Sequence, residues 1–311
     1  MPMIARRRLL AGAAALPLAL ALPPSAARAA GPVRVSSKLD TEAALLGSMI
    51  LRLLGGAGIP TQSRLRLGPT SILRSAILSG EIDIYPEYTG NGAFFFHGDA
   101  DPVWKDAKAG YERVRQLDAA ANHIAWLAPA PANNTWGIAV EGGTATANGL
   151  RTMEDFARWA KGGGKVKLAA SAEFVASPAA LPAFQAAYGF TLAADQVVVL
   201  AGGDTAATER AAAEGTSGVN AAMAYGTDAA IAALGLVLLE DTRHAQMVYE
   251  PCPVIRQPVL DAYPKIPELL AKPFAALDGA TLRALNAKVA VDGLDPDRVA
   301  GDWLKQHQFP G

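Results

Sequence analysis

The residues of this chain best placed to do chemistry are aromatic rings at the ends of short apolar runs. Tyr85-Pro86-Glu87-Tyr88-Thr89-Gly90-Asn91-Gly92 follows the alternating pattern of Ile82 and Ile84. That alternation reads as a strand, which Pro86 is expected to end because proline cannot donate to a ladder. Trp136 closes the Asn133-Asn134-Thr135 run, Tyr225 ends Ala221-Ala222-Met223-Ala224, and Tyr249 precedes Glu250-Pro251-Cys252-Pro253. In α/β proteins ligands sit beyond the carboxyl ends of strands, where a tyrosine offers a π-face and a hydroxyl to a small molecule. Core packing is the competing role for each ring, most strongly for Tyr225 and Tyr249.

Groupings that would support bond-making are missing from the sequence. No Gly-x-Ser-x-Gly or His-Glu-x-x-His run occurs, and His97, His123, His244 and His307 lack metal-ligand spacing, so neither catalytic residues nor a metal or cofactor is expected. Gly162-Gly163-Gly164-Lys165 lacks the spacing and the following Ser/Thr of a phosphate loop. Cys252 is the single cysteine, which excludes an internal disulfide framework and reads as a small buried hydrophobe. The net charge of −1, with charged residues at 18%, provides no basic footprint for nucleic acid.

These groups sit on a chain of 311 residues, long enough for two lobes. Arg6-Arg7-Arg8, the apolar run Leu9 to Leu22 and Ala27-Arg28-Ala29 read as an export leader over residues 1–29, cleaved near Ala29. The Arg-Arg-x-Leu-Leu pattern admits twin-arginine as well as general secretory export. Later apolar runs are too short to span a bilayer, so a periplasmic protein is expected.

The elements that must position the rings form two α/β series. In the first, Val33–Val35 reads as a strand and Asp40 caps a helix whose Leu45, Leu46, Met49, Ile50 and Leu53 share one face. Leu65 and Leu67 mark a strand, Thr70 caps a helix through Ser79, and Ile82–Tyr85 is the next strand. A helix over Trp104–Leu117 and a strand over Ala125–Leu127 follow. Pro129 to Trp136 is a stiff crossover. In the second series Gly137–Val140, Val166–Ala170, Val197–Leu200, Ala221–Tyr225 and Leu236–Leu239 are strands. Thr152 with Asp155 forms a capping box, Ser177-Pro178 opens a helix to Tyr188, and Asp204 caps Thr205–Glu214. From about Val248 only helices are expected: Tyr263–Leu277, Thr281–Val291 and Pro296–Gln306, with Thr281 and Asp295 as caps. The lobes are expected at 30–133 with 243–311, and at 134–242.

With Ser37-Lys38, the Tyr-Pro-Glu-Tyr-Thr-Gly loop, Pro-Ala-Asn-Asn-Thr-Trp and Ala-Met-Ala-Tyr-Gly-Thr-Asp in place, the mature chain resembles a known family. That family is the osmoprotectant-binding, glycine betaine/choline-type substrate-binding proteins of ABC importers. The resemblance implies a type II periplasmic-binding-protein fold, in which two α/β lobes joined by two crossovers enclose a ligand cleft. It also implies a monomer that hands its ligand to a membrane permease with a cytoplasmic ATPase. By motif, Tyr88, Trp136, Tyr225 and Tyr249 take the positions of an aromatic cage around a quaternary ammonium, and Lys38 and Asn91 those of the carboxylate side. Ser177 stands where relatives commonly carry an arginine, which implies modest affinity for a ligand carboxylate. A quaternary ammonium has no N–H, so the negative face of aromatic rings is its effective partner, at about 0.5–2 kcal/mol per ring. Glu42, Glu87 and Asp228 take supporting roles. Choline, carnitine, ectoine or an amino acid are the alternative ligands. A ligand-sensing subunit or an exported enzyme are the alternative classes, and the enzyme would require a nucleophile–base pair that the sequence lacks.

Overall fold

The computed structural model describes residues 31–98, 100–200 and 205–310. The leader over 1–29 and the Asp204 cap lie outside the described residues. The strands of the first sheet are β1 (Val33–Lys38), β2 (Thr61–Gly68), β3 (Ile84–Tyr88), β4 (Ile124–Trp126) and, much later, β10 (Pro251–Arg256). Those of the second are β5 (Trp136–Glu141), β6 (Leu168–Ser171), β7 (Val197–Leu200), β8 (Ala221–Tyr225) and β9 (Leu236–Leu238). Helices α1 (Thr41–Gly56), α2 (Thr70–Ser79), α3 (Asn91–Phe95) and α4 (Ala107–Asn122) accompany the first sheet. Then come α5 (Gly142–Asn148), α6 (Met153–Lys161), α7 (Ala172–Ala176), α8 (Leu181–Tyr188), α9 (Thr205–Glu214) and α10 (Ala229–Ala233). The chain ends in α11 (Gln257–Ala262), α12 (Ile266–Ala275), α13 (Gly279–Ala290) and α14 (Pro296–Gln306).

The sheets are mixed, in the order β2-β1-β3-β10-β4 and β7-β6-β8-β5-β9. In each, one strand arriving from elsewhere in the chain runs antiparallel to its neighbours: β10 between β3 and β4, and β5 between β8 and β9. This is the two-lobed α/β architecture that the motifs imply. The five apolar residues expected on one face of α1 are fully buried, and they share a core with Phe274, Leu285 and Leu304 of the C-terminal helices. A second core gathers Ile138, Phe156, Leu168, Phe174, Phe184 and Met223 around the other sheet.

Three local expectations need correction. First, β3 does not stop at Pro86 but continues to Tyr88. Arg256 N–H donates to Asp83 O and Thr89 N–H to Glu250 O, so the bonded pairs fall on alternate residues and Pro86 faces Pro253 between them. At such a position neither proline has an N–H to lose from the β3–β10 ladder. Second, the Pro-rich run read as non-strand is β10 itself, with Cys252 fully buried and its thiol donating to Leu127 O at 2.8 Å. Burial pushes the Cys252 thiol well above its ordinary pKa, which makes it inert. Third, several caps move. Asp278 rather than Thr281 accepts from the first turn of α13, α2 begins after Pro69 without a side-chain cap, and α8 begins at Leu181 with Pro182 in its first turn rather than at Ser177-Pro178. The helix expected over Trp104–Leu117 divides into a 3-10 turn, Pro102–Lys105, and α4. The caps at Asp40, Thr152 with Asp155, and Asp295 form as read.

Asp83 fastens the first sheet. It accepts from Arg34 N–H at 2.9 Å, Arg34 Nε at 2.8 Å, Arg34 Nη2 at 2.7 Å and Arg256 Nη1 at 3.0 Å. Burial alone would raise its pKa, but the Arg34 bonds and charge, with Arg256, hold it below the usual carboxylate value. Asp83→Ala is expected to destabilise the protein by about 3 kcal/mol, the low end for a broken buried pair because both arginines reach solvent. Urea unfolding of wild type and variant measures the loss.

Candidate functional site

Lys38 ends β1 and Tyr88 ends β3, so neighbouring strands bring them to the same edge of the sheet. Asn91 opens α3 just beyond Tyr88. Tyr225 ends β8, opposite Trp136 at the start of β5. Tyr249 lies in the return segment before β10. Its ring packs on Gly90, where an added Cβ would stand 2.7 Å from ring carbons. On the far side Gly226 meets the crossover backbone, and a Cβ there would lie 1.9 Å from Asn133 O. A side chain at either glycine would push the approaching segment away.

These placements enclose a cavity of about 920 Å³ lined by Lys38, Tyr88, Asn91, Tyr225 and Tyr249, five of the six residues singled out above. Trp136 is not on that wall among the described residues. Its ring lies beside Tyr225, centroids 6.3 Å apart and 18° from parallel, and meets Phe174 edge-on at 6.0 Å. Ser177 ends α7 and its hydroxyl accepts from Ala179 N–H, away from the cavity wall.

Two buried carboxylates organise the first-sheet side. Glu87 is fully buried and ion-paired with Lys38. It also accepts from Tyr85 OH at 2.9 Å, Tyr88 N–H at 2.8 Å and Asn91 Nδ2 at 2.6 Å. Lys38 Nζ lies 4.7 Å from the Tyr88 ring centroid. The sequence reading left the Lys38 charge available to a ligand carboxylate, whereas the structure shows it neutralised by Glu87 and laid over Tyr88. Glu42, on the first turn of α1, accepts from Tyr88 OH at 2.7 Å and Asn286 Nδ2 at 2.7 Å. Burial raises the Glu42 pKa, against hydrogen bonds from Thr227, Tyr88 and Asn286 that lower it. Burial and the charge of Glu42 likewise hold the Tyr88 phenol well above its ordinary pKa.

α13 closes the remaining wall. Asn286 also donates to Thr227 O at 3.0 Å, and Arg283 Nη1 to Gly226 O at 2.7 Å. Sequence reading missed Asn134, Thr227, Asn286, Glu209 and Arg210 on this cavity. The only signal for Asn286 was an amide on the otherwise apolar face of Leu282 and Leu285. The walls carry the carboxylates Asp40, Glu42, Glu209 and Asp228 against the cations Lys38 and Arg210. Such a cavity favours a compact positive group, held by ring faces and an acidic surround.

Known proteins share the sequence and fold of this chain. The family described as the substrate-binding domain of the ABC-type glycine betaine transport system matches residues 31–306. The glycine betaine-binding protein YehZ of Escherichia coli (strain K12) is 54% identical over 299 residues, covering 96% of this chain and 97% of that protein. A glycine-betaine-binding protein of Pseudomonas aeruginosa is 30% identical over 285 residues, covering 89% of this chain and 88% of its own. The solved structure of apo YehZ superposes with a TM-score of 0.85 at 55% identity, covering 90% of this chain and 100% of that one. The chain therefore belongs to the family of substrate-binding domains of ABC-type glycine betaine transport systems.

Proposed function

We propose that this protein captures glycine betaine in the cavity between its lobes and presents it to a membrane permease driven by a cytoplasmic ATPase. The observation that carries the reading is the convergence of Tyr88, Tyr225 and Tyr249 on one cavity whose wall holds four carboxylates and two cations. The three rings hold the trimethylammonium group, at about 0.5–2 kcal/mol per face, before the costs of ordering and association are subtracted. Trp136 belongs to the cage as the ring stacked on Tyr225, fixing that tyrosine rather than meeting the ligand. Asn91 and Lys38 shape the end of the cavity under Tyr88. Arg210 is exposed on the opposite wall and takes the role that Ser177 cannot fill, pairing with the ligand carboxylate.

The lobes that close on the ligand comprise 30–133 with 243–311 and 134–242, the chain crossing between them before Trp136 and after Asp241. The exported, monomeric state and the leader over 1–29 are part of the same proposal. Its support is the family's place in importers.

Isothermal calorimetry against glycine betaine, choline, carnitine, proline and ectoine is expected to give heat with the methylated amines. Heat from proline with none from any methylated amine would overturn the ligand class. Tyr225→Ala should weaken glycine betaine binding by about 0.5–2 kcal/mol, and Trp136→Ala by less, because it loosens a ring instead of removing one. Arg210→Ala should weaken glycine betaine by about 1.5–3 kcal/mol and leave choline, which has no carboxylate, unchanged. Equal losses for both ligands would refute that role for Arg210.

A further inference from the structure

Among the described residues, one carboxylate on this cavity takes its side-chain hydrogen bonds from neutral donors. Glu42 lines the cavity yet is only 5% exposed. Tyr88 OH and Asn134 Nδ2 approach its Oε1, at 2.7 and 3.4 Å, and Asn286 Nδ2 approaches Oε2 at 2.7 Å. All of these donors are neutral, and among the described residues no cation pairs with Glu42. The arrangement differs from that at Glu87, whose charge Lys38 balances. A buried carboxylate without a cation is costly to ionise, and a positive ligand close by reverses the balance.

We infer that Glu42 is the counter-charge for the ligand's ammonium group, and that binding this group drives the Glu42 proton into solvent, so that capture weakens in acid. The inference rests on the reading of the cavity as a quaternary-ammonium site and adds to it the residue that sets charge selectivity. Glu42 acts through Tyr88. An ionised acceptor at the phenol oxygen polarises the O–H bond and enriches the ring. A protonated Glu42 weakens both the direct attraction and the ring.

Several charged groups surround Glu42. Asp40, on its own turn, adds repulsion and raises its proton affinity further. Lys38 of β1 and Glu87 of β3 balance one another. Arg283 of α13 donates to Gly226 O. Across the cavity lie Glu209 and Arg210 of α9 and Asp228 before α10. Arg64 and Arg66 of β2, Glu268 and Lys272 of α12, and Arg298 of α14 are exposed on the outer surfaces of their elements.

The sign follows from linkage. Burial holds Glu42 above the ordinary carboxylate range in the free protein, and the bound cation lowers it. Affinity is therefore full above the free-state value, falls as pH drops through it, and levels off below the bound-state value. The carboxyl group of glycine betaine stays ionised over this range and contributes no slope of its own.

The test is calorimetry of glycine betaine binding from about pH 7.5 to about pH 5, each point in two buffers of different ionisation heat. The wild type should bind several-fold to about tenfold more weakly at the acid end and release up to about one proton per ligand. Glu42→Gln should bind weakly with no pH slope. Glu250→Gln removes another carboxyl that burial raises but that lies off the cavity wall, and it should keep the wild-type slope. Measurable wild-type binding that is flat in pH and takes up or releases no proton would overturn this inference and leave the ligand reading intact. A wild-type slope retained in Glu42→Gln would do the same. Absence of binding by every methylated amine at every pH would overturn both. The buffer comparison needs only the wild type, so a variant that fails to fold does not protect the idea.

Discussion

A carboxylate removed from water keeps its charge only if enough donors converge on it, and that requirement shapes this site. Glu87 meets it with Lys38, Asn91, the Tyr85 hydroxyl and the Tyr88 N–H. Satisfying one buried anion thereby fixes the end of β1, the end of β3 and the start of α3 in one geometry. Tyr88 is held at its backbone by Glu87 and at its hydroxyl by Glu42, so its ring has little freedom left. A preorganised ring loses little entropy when a ligand arrives, which is where an aromatic cage gains over a flexible one.

The two sheets contribute different things. The first supplies buried ionic chemistry, with Glu42, Glu87, Lys38 and Tyr88 locked together. The second supplies Tyr225, stacked on Trp136, which itself leans on Phe174. Between them α13 reaches across, with Arg283 and Asn286 gripping the carbonyls of Gly226 and Thr227. Asn286 holds Glu42 with the same amide. The anion of one lobe and the backbone of the other thus share a donor.

Much of this was legible in the sequence, for physical reasons. Tyr88, Asn91 and Tyr225 sit where turn residues follow strands, and that pattern places side chains at the end of a sheet. The caps at Asp40 and Asp295 follow from side-chain oxygens set just before helical periodicity. Other features were hidden. β10 carries Pro251 and Pro253, which argue against a strand until the alternation of bonded pairs with β3 is known. The ion pair of Lys38 with Glu87 joins residues 49 positions apart, and the hydrogen bond from Asn286 to Glu42 spans 244. No local pattern encodes either. Trp136 shows a third limit, because its position at the head of β5 was readable but the direction of its ring is settled by packing against Phe174.

Cys252 has a practical consequence. It is the second residue of β10, paired with Glu87 of β3, with its sulfur against the Leu127 carbonyl. A thiol-alkylating reagent meets it only when the middle of the first sheet comes apart, so the pace of its modification counts excursions of that sheet and not of the cleft. The chain thus carries a native clock for global opening, and a ligand that stabilises the folded form should slow it.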